Sequence, residues 1–259
     1  MIVWDKLIMR KKRLRNGENM CENKKYRTAA VVLAAGSGRR MGGSTKKQYM
    51  LIGGKPVIYY SLKAFQDSFI DEIVLVVSPG DEEYCRKEIV ERYGFYKVRS
   101  IVEGGKERYH SVAIGLESIS DCGYVFIHDG ARPMLTEEIL NRAFACVQKC
   151  DACVVGMPVK DTIKIADKEG YIASTPNRNL VWMVQTPQVF AYSLIAEAYR
   201  ELILREQEFI EEGITVTDDA MVVEMLTGHS VKLTAGSYEN IKITTPEDIA
   251  LAENFLNQK

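Results

Sequence analysis

The stretch VVLAAGSGRRMGGSTKKQYM, residues 31–50, joins a run of apolar residues directly to a loop rich in glycine and basic side chains. An apolar run of this kind is typical of a strand buried on both faces of a parallel sheet. The residues after it, around Gly36, Ser37 and Gly38, can bring backbone amides close to an anion, because glycine has no side chain to obstruct the approach. The stretch therefore predicts a phosphate-binding loop at the end of a buried strand.

This loop differs from two common nucleotide-binding motifs. Ser44 stands where a Walker A motif requires lysine, and Met41 occupies the third glycine position of the dinucleotide-binding fingerprint. The alternative interpretation is a plain strand-to-helix turn without a ligand. An anion-binding loop is favoured over that alternative by the basic residues beside the glycines: Arg39, Arg40, Lys46 and Lys47.

From residue 28 onward, short apolar runs alternate with helical patterns. Strands are predicted at residues 28–35, 71–78, 124–129 and 152–159, and helices at 55–65, 81–93, 106–119, 135–148 and 244–256. This alternation predicts an α/β fold with a single Rossmann-like, mostly parallel sheet and helices on both faces. Because such sheets bind ligands at the carboxyl ends of their strands, we expect the functional residues in the loops that follow the strands.

The segment VKDTIKIADKEGYIASTPNRNLVWM, residues 159–183, breaks this rhythm. It alternates like two strands around the turn DKEG, and its apolar positions are too few to form a core. We predict a β-hairpin arm that protrudes from the domain. The edge of such an arm normally has to be paired with something.

The composition limits the partners and the compartment. The 259 residues include 34 basic and 35 acidic side chains, for a net charge of -1, which gives no indication of a nucleic-acid or membrane-surface partner. No apolar run reaches the roughly 20 residues that a membrane span requires. The six cysteines show no regular pairing pattern, so a reducing, cytoplasmic setting is expected. A metal site at Cys146, Cys150 and Cys153 is disfavoured because no histidine lies near them in sequence.

The first 27 residues differ in kind from the rest of the chain. They are polar, basic and without helical or strand periodicity, and we interpret residues 1–27 as a disordered basic tail, with Met20 the more natural start. Residues 28–259 are then expected to form one domain.

Several motifs follow one another in a fixed order: LAAGSGRRMGG with KKQY, EGGKERYHSV, HDGARP, VKDTIK, PNRNLVWMVQTPQ, TDDA and NIKITTPEDIALAE. Together they resemble the 2-C-methyl-D-erythritol 4-phosphate cytidylyltransferases of non-mevalonate isoprenoid biosynthesis. The likeness extends from about residue 28 to 257, and an ordered set is far more specific than any single motif. The chain departs from the usual family pattern at Lys46, where proline is frequent, and at Lys106, where an acidic residue is common.

The resemblance implies a reaction between two phosphate compounds. A cytidylyl group would pass from CTP to the phosphate of methylerythritol phosphate, releasing pyrophosphate, with Mg²⁺ or another divalent cation present. The family pattern also implies a homodimer whose chains exchange arms. The attacking phosphate monoester is largely dianionic at pH 7, so no general base is required. What such a reaction needs is the cancellation of negative charge.

The family's site residues carry over to matching positions of this chain. The resemblance implies that CTP is bound by Ala34, Ala35, Gly36, Gly38, Arg40, Lys47, Gly105, Ser111, Asp129 and Lys242. It implies that the acceptor is bound by Asp129, Arg132, Thr162, Arg178 and Lys242. Arg40, Lys47, Arg178 and Lys242 would be the catalytic residues, and Asp129 would help hold the metal ion. We expect His128 to be structural, because a lone histidine beside a buried strand usually has its partners inside the core.

Three other functions are compatible with parts of the sequence. Ribitol-5-phosphate cytidylyltransferases share the glycine-rich loop and the TPQ element, although Trp182 and Gly130 are more typical of the methylerythritol enzymes. A non-catalytic nucleotide-binding regulatory protein would have little reason to keep all the charged site residues. A hydride-transferring Rossmann enzyme would need the missing third glycine.

Overall fold

The computed structural model describes residues 26–36 and 46–258. Its strands are β1 (Thr28–Ala34), β2 (Leu51–Ile52), β3 (Lys55–Pro56), β4 (Glu72–Val77), β5 (Val98–Glu103), β6 (Tyr124–Asp129), β7 (Ala152–Pro158), β8 (Ile165–Ala166), β9 (Ile172–Ser174), β10 (Trp182–Ala191) and β11 (Lys232–Ala235).

The α-helices are α1 (Val57–Gln66), α2 (Glu82–Tyr84), α3 (Arg108–Glu117), α4 (Glu137–Cys150), α5 (Tyr192–Leu204), α6 (Glu206–Glu211), α7 (Asp219–Thr227) and α8 (Pro246–Asn257). A π-helix, Cys85–Glu91, continues α2, and two 3₁₀ turns cover Lys47–Tyr49 and Arg178–Leu180. In the two described ranges, no helix combines the length and the apolar composition needed to cross a bilayer.

The centre of the fold is a seven-stranded sheet in the order β11-β7-β10-β6-β1-β4-β5. Every neighbouring pair is parallel except the two that involve β10, which runs antiparallel to both β6 and β7. Strand β1 lies in the interior, with Val31 opposite Val74 of β4 and Ile127 of β6. The predicted mostly parallel α/β sheet is therefore confirmed.

Helices cover both faces of the sheet, because alternate residues of each central strand point to opposite sides. Ala30 and Val32 pack on the face covered by α1, α4 and the π-helix, while Ala29 and Val31 pack on the face covered by α3, α5 and α7. All four side chains are fully buried. This double burial explains why the apolar run of residues 28–34 is continuous.

The arm of residues 159–183 is a short hairpin that starts where β7 ends. Strands β8 and β9 pair antiparallel with each other, and the turn between them closes through Gly170, whose φ of 89° suits glycine. The last two residues of the predicted arm, Trp182 and Met183, instead belong to β10, where they pair with Pro158 and Met157 of β7. The base of the arm is thus built into the central sheet.

The arm leaves large apolar side chains exposed. Ile165, Tyr171, Ile172 and Leu180 keep between 52% and 79% of their surface accessible in the single chain. Four large exposed apolar side chains in one short hairpin favour an interaction surface on the arm.

Helix α8 begins as its sequence predicts, with Pro246 as its first residue and Thr245 at the N-cap. The Asp248 carboxylate accepts hydrogen bonds from the Thr244 amide at 2.7 Å, the Thr244 hydroxyl at 2.8 Å and the Thr245 amide at 2.9 Å. These bonds fix the chain directly after residues 240–243, which reach the end of the sheet.

We expect Asp248→Ala to lower the free energy of unfolding by about 1 kcal/mol at pH 7, the usual value of a helix cap. Burial opposes ionisation of Asp248, but the hydrogen bonds from Thr244 and Thr245 hold its pKa below the ordinary value. A lowered pKa stabilises the fold above the unfolded-state pKa of about 4, and this contribution disappears as the pH falls through the folded-state pKa. Urea unfolding at several pH values should therefore show the difference from wild type shrinking below about pH 4.

Glu253→Ala, which removes an exposed acid from the same helix, is the matched control and should change stability little at any pH. A difference for Asp248→Ala that stays constant from pH 7 to pH 3 would contradict the role of the carboxylate.

Candidate active site

A cavity of about 400 Å³ opens at the carboxyl ends of β1 and β6. Its walls come from the end of β1, the 3₁₀ turn at Lys47, the loop into α3, the end of β6 and the segment before α8. Among the predicted site residues, those lining the cavity are Ala34, Ala35, Gly36, Lys47, Gly105, Ser111, Asp129 and Lys242. Two further predicted residues, Gly38 and Arg40, lie outside the described residues.

The Lys47 turn is attached to the end of β1 by its neighbour Gln48. The Gln48 side chain is buried, and its Nε2 donates to the carbonyl oxygens of Ala34 at 2.6 Å and Gly36 at 3.3 Å. A buried amide that is satisfied by strand-end carbonyls fixes the turn to the sheet. This attachment brings Lys47 to the cavity wall.

The loop into α3 packs closely because it contains two glycines. A Cβ on Gly104 would lie 2.6 Å from the Ser111 hydroxyl, which is closer than real side chains approach. The Gly105 amide donates to the Ser111 hydroxyl at 3.2 Å. The two glycines thus let the backbone of this loop lie against Ser111 and the end of β1, on one wall of the cavity.

Asp129, the last residue of β6, is surrounded by cationic groups. Its carboxylate lies 2.9 Å from Lys242 Nζ, 3.6 Å from Arg108 Nε and 3.7 Å from Arg132 Nε. Burial opposes ionisation, but these three charges hold the pKa of Asp129 well below its usual range. The carboxylate is therefore ionised at neutral pH, and the cavity is lined by an excess of positive charge.

Arg108 is held in place by a second acid. Its guanidinium binds the fully buried Asp219 through two hydrogen bonds, of 2.8 and 2.7 Å, and the Tyr199 hydroxyl donates to the same carboxylate at 2.5 Å. A two-bonded fork of this kind fixes the plane of the guanidinium. Arg108 therefore has a set position between Asp219 and Asp129.

The sequence did not single out Arg108 or Asp219. Arg108 stands in the motif EGGKERYHSV and Asp219 in TDDA, so both were within quoted motifs but without an assigned role. The signal that could have identified the pair is that one motif contains a basic residue and another motif of the same ordered set contains an acidic one.

His128 is fully buried and has hydrogen-bond partners at both ring nitrogens. Nε2 lies 3.4 Å from the Arg132 carbonyl and Nδ1 lies 2.9 Å from the Thr186 hydroxyl, which also accepts the Asp129 amide at 3.1 Å. Since a carbonyl only accepts, this network assigns the proton to Nε2 and makes Thr186 the donor to Nδ1. Burial lowers the pKa of His128 to about 4, so the ring is neutral and structural, as predicted.

Lys242 is positioned by the buried Asn240, two residues before it. The Asn240 side chain donates to the Thr186 carbonyl at 2.9 Å and to the Gln185 side-chain oxygen at 3.2 Å, and the backbone carbonyl of Asn240 accepts from Arg132 at 2.8 Å. These bonds join the segment before α8 to β10 and to the loop after β6. Arg132 thus lies behind Asp129 and also contacts the Lys242 segment.

Thr162 and Arg178 are not part of this cavity. Both are exposed residues of the arm, and Arg178 Nη1 is 3.4 Å from the carbonyl of Lys160, another arm residue. The fold of one chain brings the other described site residues together around Asp129 but leaves these two apart.

A divalent cation is compatible with the donor set at Asp129. In the two described ranges, no group of three or more His, Cys, Asp or Glu side chains is arranged to hold a metal ion by itself. Mg²⁺, however, is usually held by one or two carboxylates together with substrate phosphates. The ionised Asp129 carboxylate, in a cavity of about 400 Å³ with room for substrate phosphates, is a donor set of that kind.

Residues 28–258 match the family model of 2-C-methyl-D-erythritol 4-phosphate cytidylyltransferase. The chain belongs to this family. Two cytidylyltransferases of that name, from Lachnoclostridium phytofermentans and Lachnospira eligens, are 48% and 52% identical to it; the alignments cover 90% and 88% of this chain and 97% and 98% of the relatives. The crystal structure of the 4-diphosphocytidyl-2C-methyl-D-erythritol synthase from Anaerococcus prevotii superposes with a TM-score of 0.76 at 34% identity, covering 90% of this chain and 96% of that one.

We expect Asp219→Ala to destabilise this cytidylyltransferase by about 3 kcal/mol, because it leaves Arg108 without its buried partner. Glu208→Ala, which breaks the exposed ion pair with Arg205, should cost less than about 1 kcal/mol. Guanidinium unfolding of both variants measures the difference. Similar losses in the two variants would contradict a structural role for the Arg108–Asp219 pair.

Proposed function

We propose that this chain transfers the cytidylyl group of CTP to 2-C-methyl-D-erythritol 4-phosphate, giving 4-diphosphocytidyl-2-C-methyl-D-erythritol and pyrophosphate. The observation that carries the proposal is the cavity in which Lys47, Lys242 and Arg108 lie around or beside Asp129, in a chain with the family's ordered motifs. The reaction makes an isoprenoid precursor in the non-mevalonate pathway.

The chemistry needs no protein base. A phosphate oxygen of the acceptor attacks the α-phosphorus of CTP, and the bond from that phosphorus to the oxygen bridging to the β-phosphate breaks. The acceptor phosphate is largely dianionic at pH 7, so the attacking oxygen already has its electron pair. The barrier comes from bringing two anions together and from the charge that develops on the leaving pyrophosphate.

Lys47 and Lys242 are the described residues best placed to offset this charge. Both line the cavity, and each would contact phosphate oxygens from a different wall. We assign Lys47 and Arg40 to the triphosphate and Lys242 to the reacting phosphates, as the family pattern implies. Ala34, Ala35, Gly36 and Gly38 would offer backbone contacts to the nucleotide. Gly105 and Ser111 would recognise the cytosine and the ribose through backbone and hydroxyl groups.

Asp129 would hold a divalent cation, Mg²⁺ being the proposed ion, together with phosphate oxygens of CTP. When bound, such an ion neutralises phosphate charge and polarises the phosphorus–oxygen bonds. Asp129 suits this role because the neighbouring cations keep it ionised. Arg132 and Lys242 both approach Oδ2 of Asp129, at 3.7 Å and 2.9 Å, so Arg132 helps to hold the carboxylate in place.

We also propose a cytoplasmic homodimer whose chains exchange arms. The proposal is supported by the exposed apolar side chains of the arm and by the separation of Thr162 and Arg178 from this chain's own cavity. In an exchanged dimer, these two residues would complete the site of the partner by binding methylerythritol phosphate. The described cysteines are free thiols, which fits a reducing compartment.

The deciding assay measures pyrophosphate release with each of the four nucleoside triphosphates, against methylerythritol phosphate and ribitol 5-phosphate. CTP with methylerythritol phosphate should give the largest kcat/KM, because the cavity belongs to a chain with the methylerythritol motifs. A larger kcat/KM with ribitol 5-phosphate would overturn the acceptor. Tight CTP binding without product would support the regulatory alternative.

A second prediction tests the shared site by mixing two inactive variants. Lys47→Ala and Arg178→Ala chains should each lose about 100-fold or more in kcat/KM, because each removes a charge that contacts the transition state. In a heterodimer of the two, one site carries both lesions and the other carries none. Random mixing makes half of the dimers heterodimers, so the mixture should recover about a quarter of wild-type activity.

Mixing Lys47→Ala with Lys242→Ala is the matched control, because both residues line the cavity of one chain. In that heterodimer every site keeps one lesion, and no activity should return. No recovery with Arg178→Ala either would contradict the shared site while leaving the reaction unaffected.

A further inference from the structure

Asp81 contacts the residues on both sides of Lys47. Its Oδ2 accepts a hydrogen bond from Lys46 Nζ at 2.6 Å and another from the Tyr49 hydroxyl at 3.0 Å. We propose that Asp81 is a positioning residue that holds the turn of residues 46–49 so that Lys47 meets the triphosphate in a fixed place. This inference rests on the proposed function for the site, in which Lys47 binds CTP.

The Asp81 side chain is well placed to act as an anchor because it is partly shielded and its own loop is fixed. Only 19% of the Asp81 side chain and 33% of the Lys46 side chain are accessible. The Asp81 amide donates to the Ser78 carbonyl at 3.0 Å, and the Ser78 hydroxyl donates to the Ala35 carbonyl at 3.2 Å. The loop after β4 is thereby attached to the end of β1, where Gln48 also forms its hydrogen bonds.

Tyr49 strengthens the anchor through Cys85. The Tyr49 oxygen lies 3.1 Å from Cys85 Sγ, and since the phenol proton goes to the Asp81 carboxylate, the thiol must be the donor in this contact. Burial raises the pKa of Cys85 to about 11 and the pKa of Tyr49 well above its ordinary value. Both groups therefore stay protonated at neutral pH and the chain of hydrogen bonds is complete.

The two attachments leave Lys47 between fixed neighbours. Gln48 ties the turn to β1, and Asp81 ties Lys46 and Tyr49 to the loop after β4. A charged side chain whose backbone is held in advance loses less conformational entropy when it binds a phosphate, and a misplacement of about 1 Å can cost up to 100-fold in rate.

The test is a double-mutant cycle. We expect Asp81→Ala to lower kcat/KM for CTP about tenfold while KM for methylerythritol phosphate stays unchanged. In a Lys47→Ala background the same substitution should change kcat/KM less than twofold, because its effect passes through Lys47. A tenfold loss in both backgrounds, or wild-type kinetics in Asp81→Ala, would overturn the inference.

Three further variants separate positioning from folding. Asp67→Ala removes an aspartate that pairs with Lys63 on the surface, and it should leave the kinetics unchanged. Lys46 has φ −60° and ψ 136°, a conformation that proline fixes, so Lys46→Pro should retain more activity than Lys46→Ala. The reverse order would contradict a positioning role, and it decides the matter even if Asp81→Ala fails to fold.

Measuring CTP binding by calorimetry tests the role of Asp81 without relying on turnover. Asp81→Ala should weaken CTP binding in the wild-type background but not in the Lys47→Ala background. If the wild-type enzyme formed no cytidylyl product, the proposed function would fail, and the binding cycle would still decide whether Asp81 acts through Lys47. Equal weakening of CTP binding in both backgrounds would refute that action.

Discussion

The candidate active site depends on one buried carboxylate. Asp129 ends a strand in the middle of the sheet, and only 8% of the residue is exposed. A carboxylate buried to this extent destabilises the fold unless nearby cations or hydrogen bonds offset its charge. Three cations provide that compensation. Arg108 lies at the start of α3, Arg132 lies three residues after Asp129 itself, and Lys242 lies in the segment before α8. The contacts that offset the buried charge of Asp129 thus also bring cationic side chains from three segments to one cavity.

A second layer of polar contacts fixes the groups around Asp129. Thr186 of β10 accepts the Asp129 amide and donates to His128, and the Asn240 side chain caps the Thr186 carbonyl. These side chains are buried, and all their polar atoms except Asn240 Oδ1 have hydrogen-bond partners, so they form one connected network. The antiparallel strand β10 thus places the polar side chain of Thr186 beside the end of β6.

The sequence predicted the parts of the fold that follow from local pattern. The strands 28–35, 71–78, 124–129 and 152–159 were found because double burial makes them continuous apolar runs, and α8 because its start carries a complete capping box. Strand β10 was not predicted. Its centre carries the polar residues Gln185, Thr186 and Gln188, which are buried and form hydrogen bonds with other segments. The alternation of polar and apolar residues in the sequence does not reveal that these polar residues are buried.

The site was predictable to a similar extent and for a similar reason. Residues at strand ends, such as Gly36 and Asp129, could be placed because open α/β sheets bind ligands there. The Arg108–Asp219 pair joins residues 111 positions apart, and the Asp81 contacts join segments 32 and 35 positions apart. Contacts of this range arise from the packing of α3, α7 and the loop after β4, which single-sequence patterns do not encode.

Strand β10 also links two regions that differ greatly in exposure. It begins at Trp182 at the base of the arm and continues to Ala191, past Thr186, which lies beside Asp129. Trp182 and Thr186 are four residues apart, roughly 13 Å along a strand. The ladder with β7 shifts register between Val184 and Gln188, so the irregular stretch falls between the arm and the buried end of the strand. Such an irregularity bends and twists a strand locally. The arm and the Asp129 cavity are therefore joined by one strand, and the irregular stretch of residues 184–188 includes Thr186, which contacts the Asp129 amide.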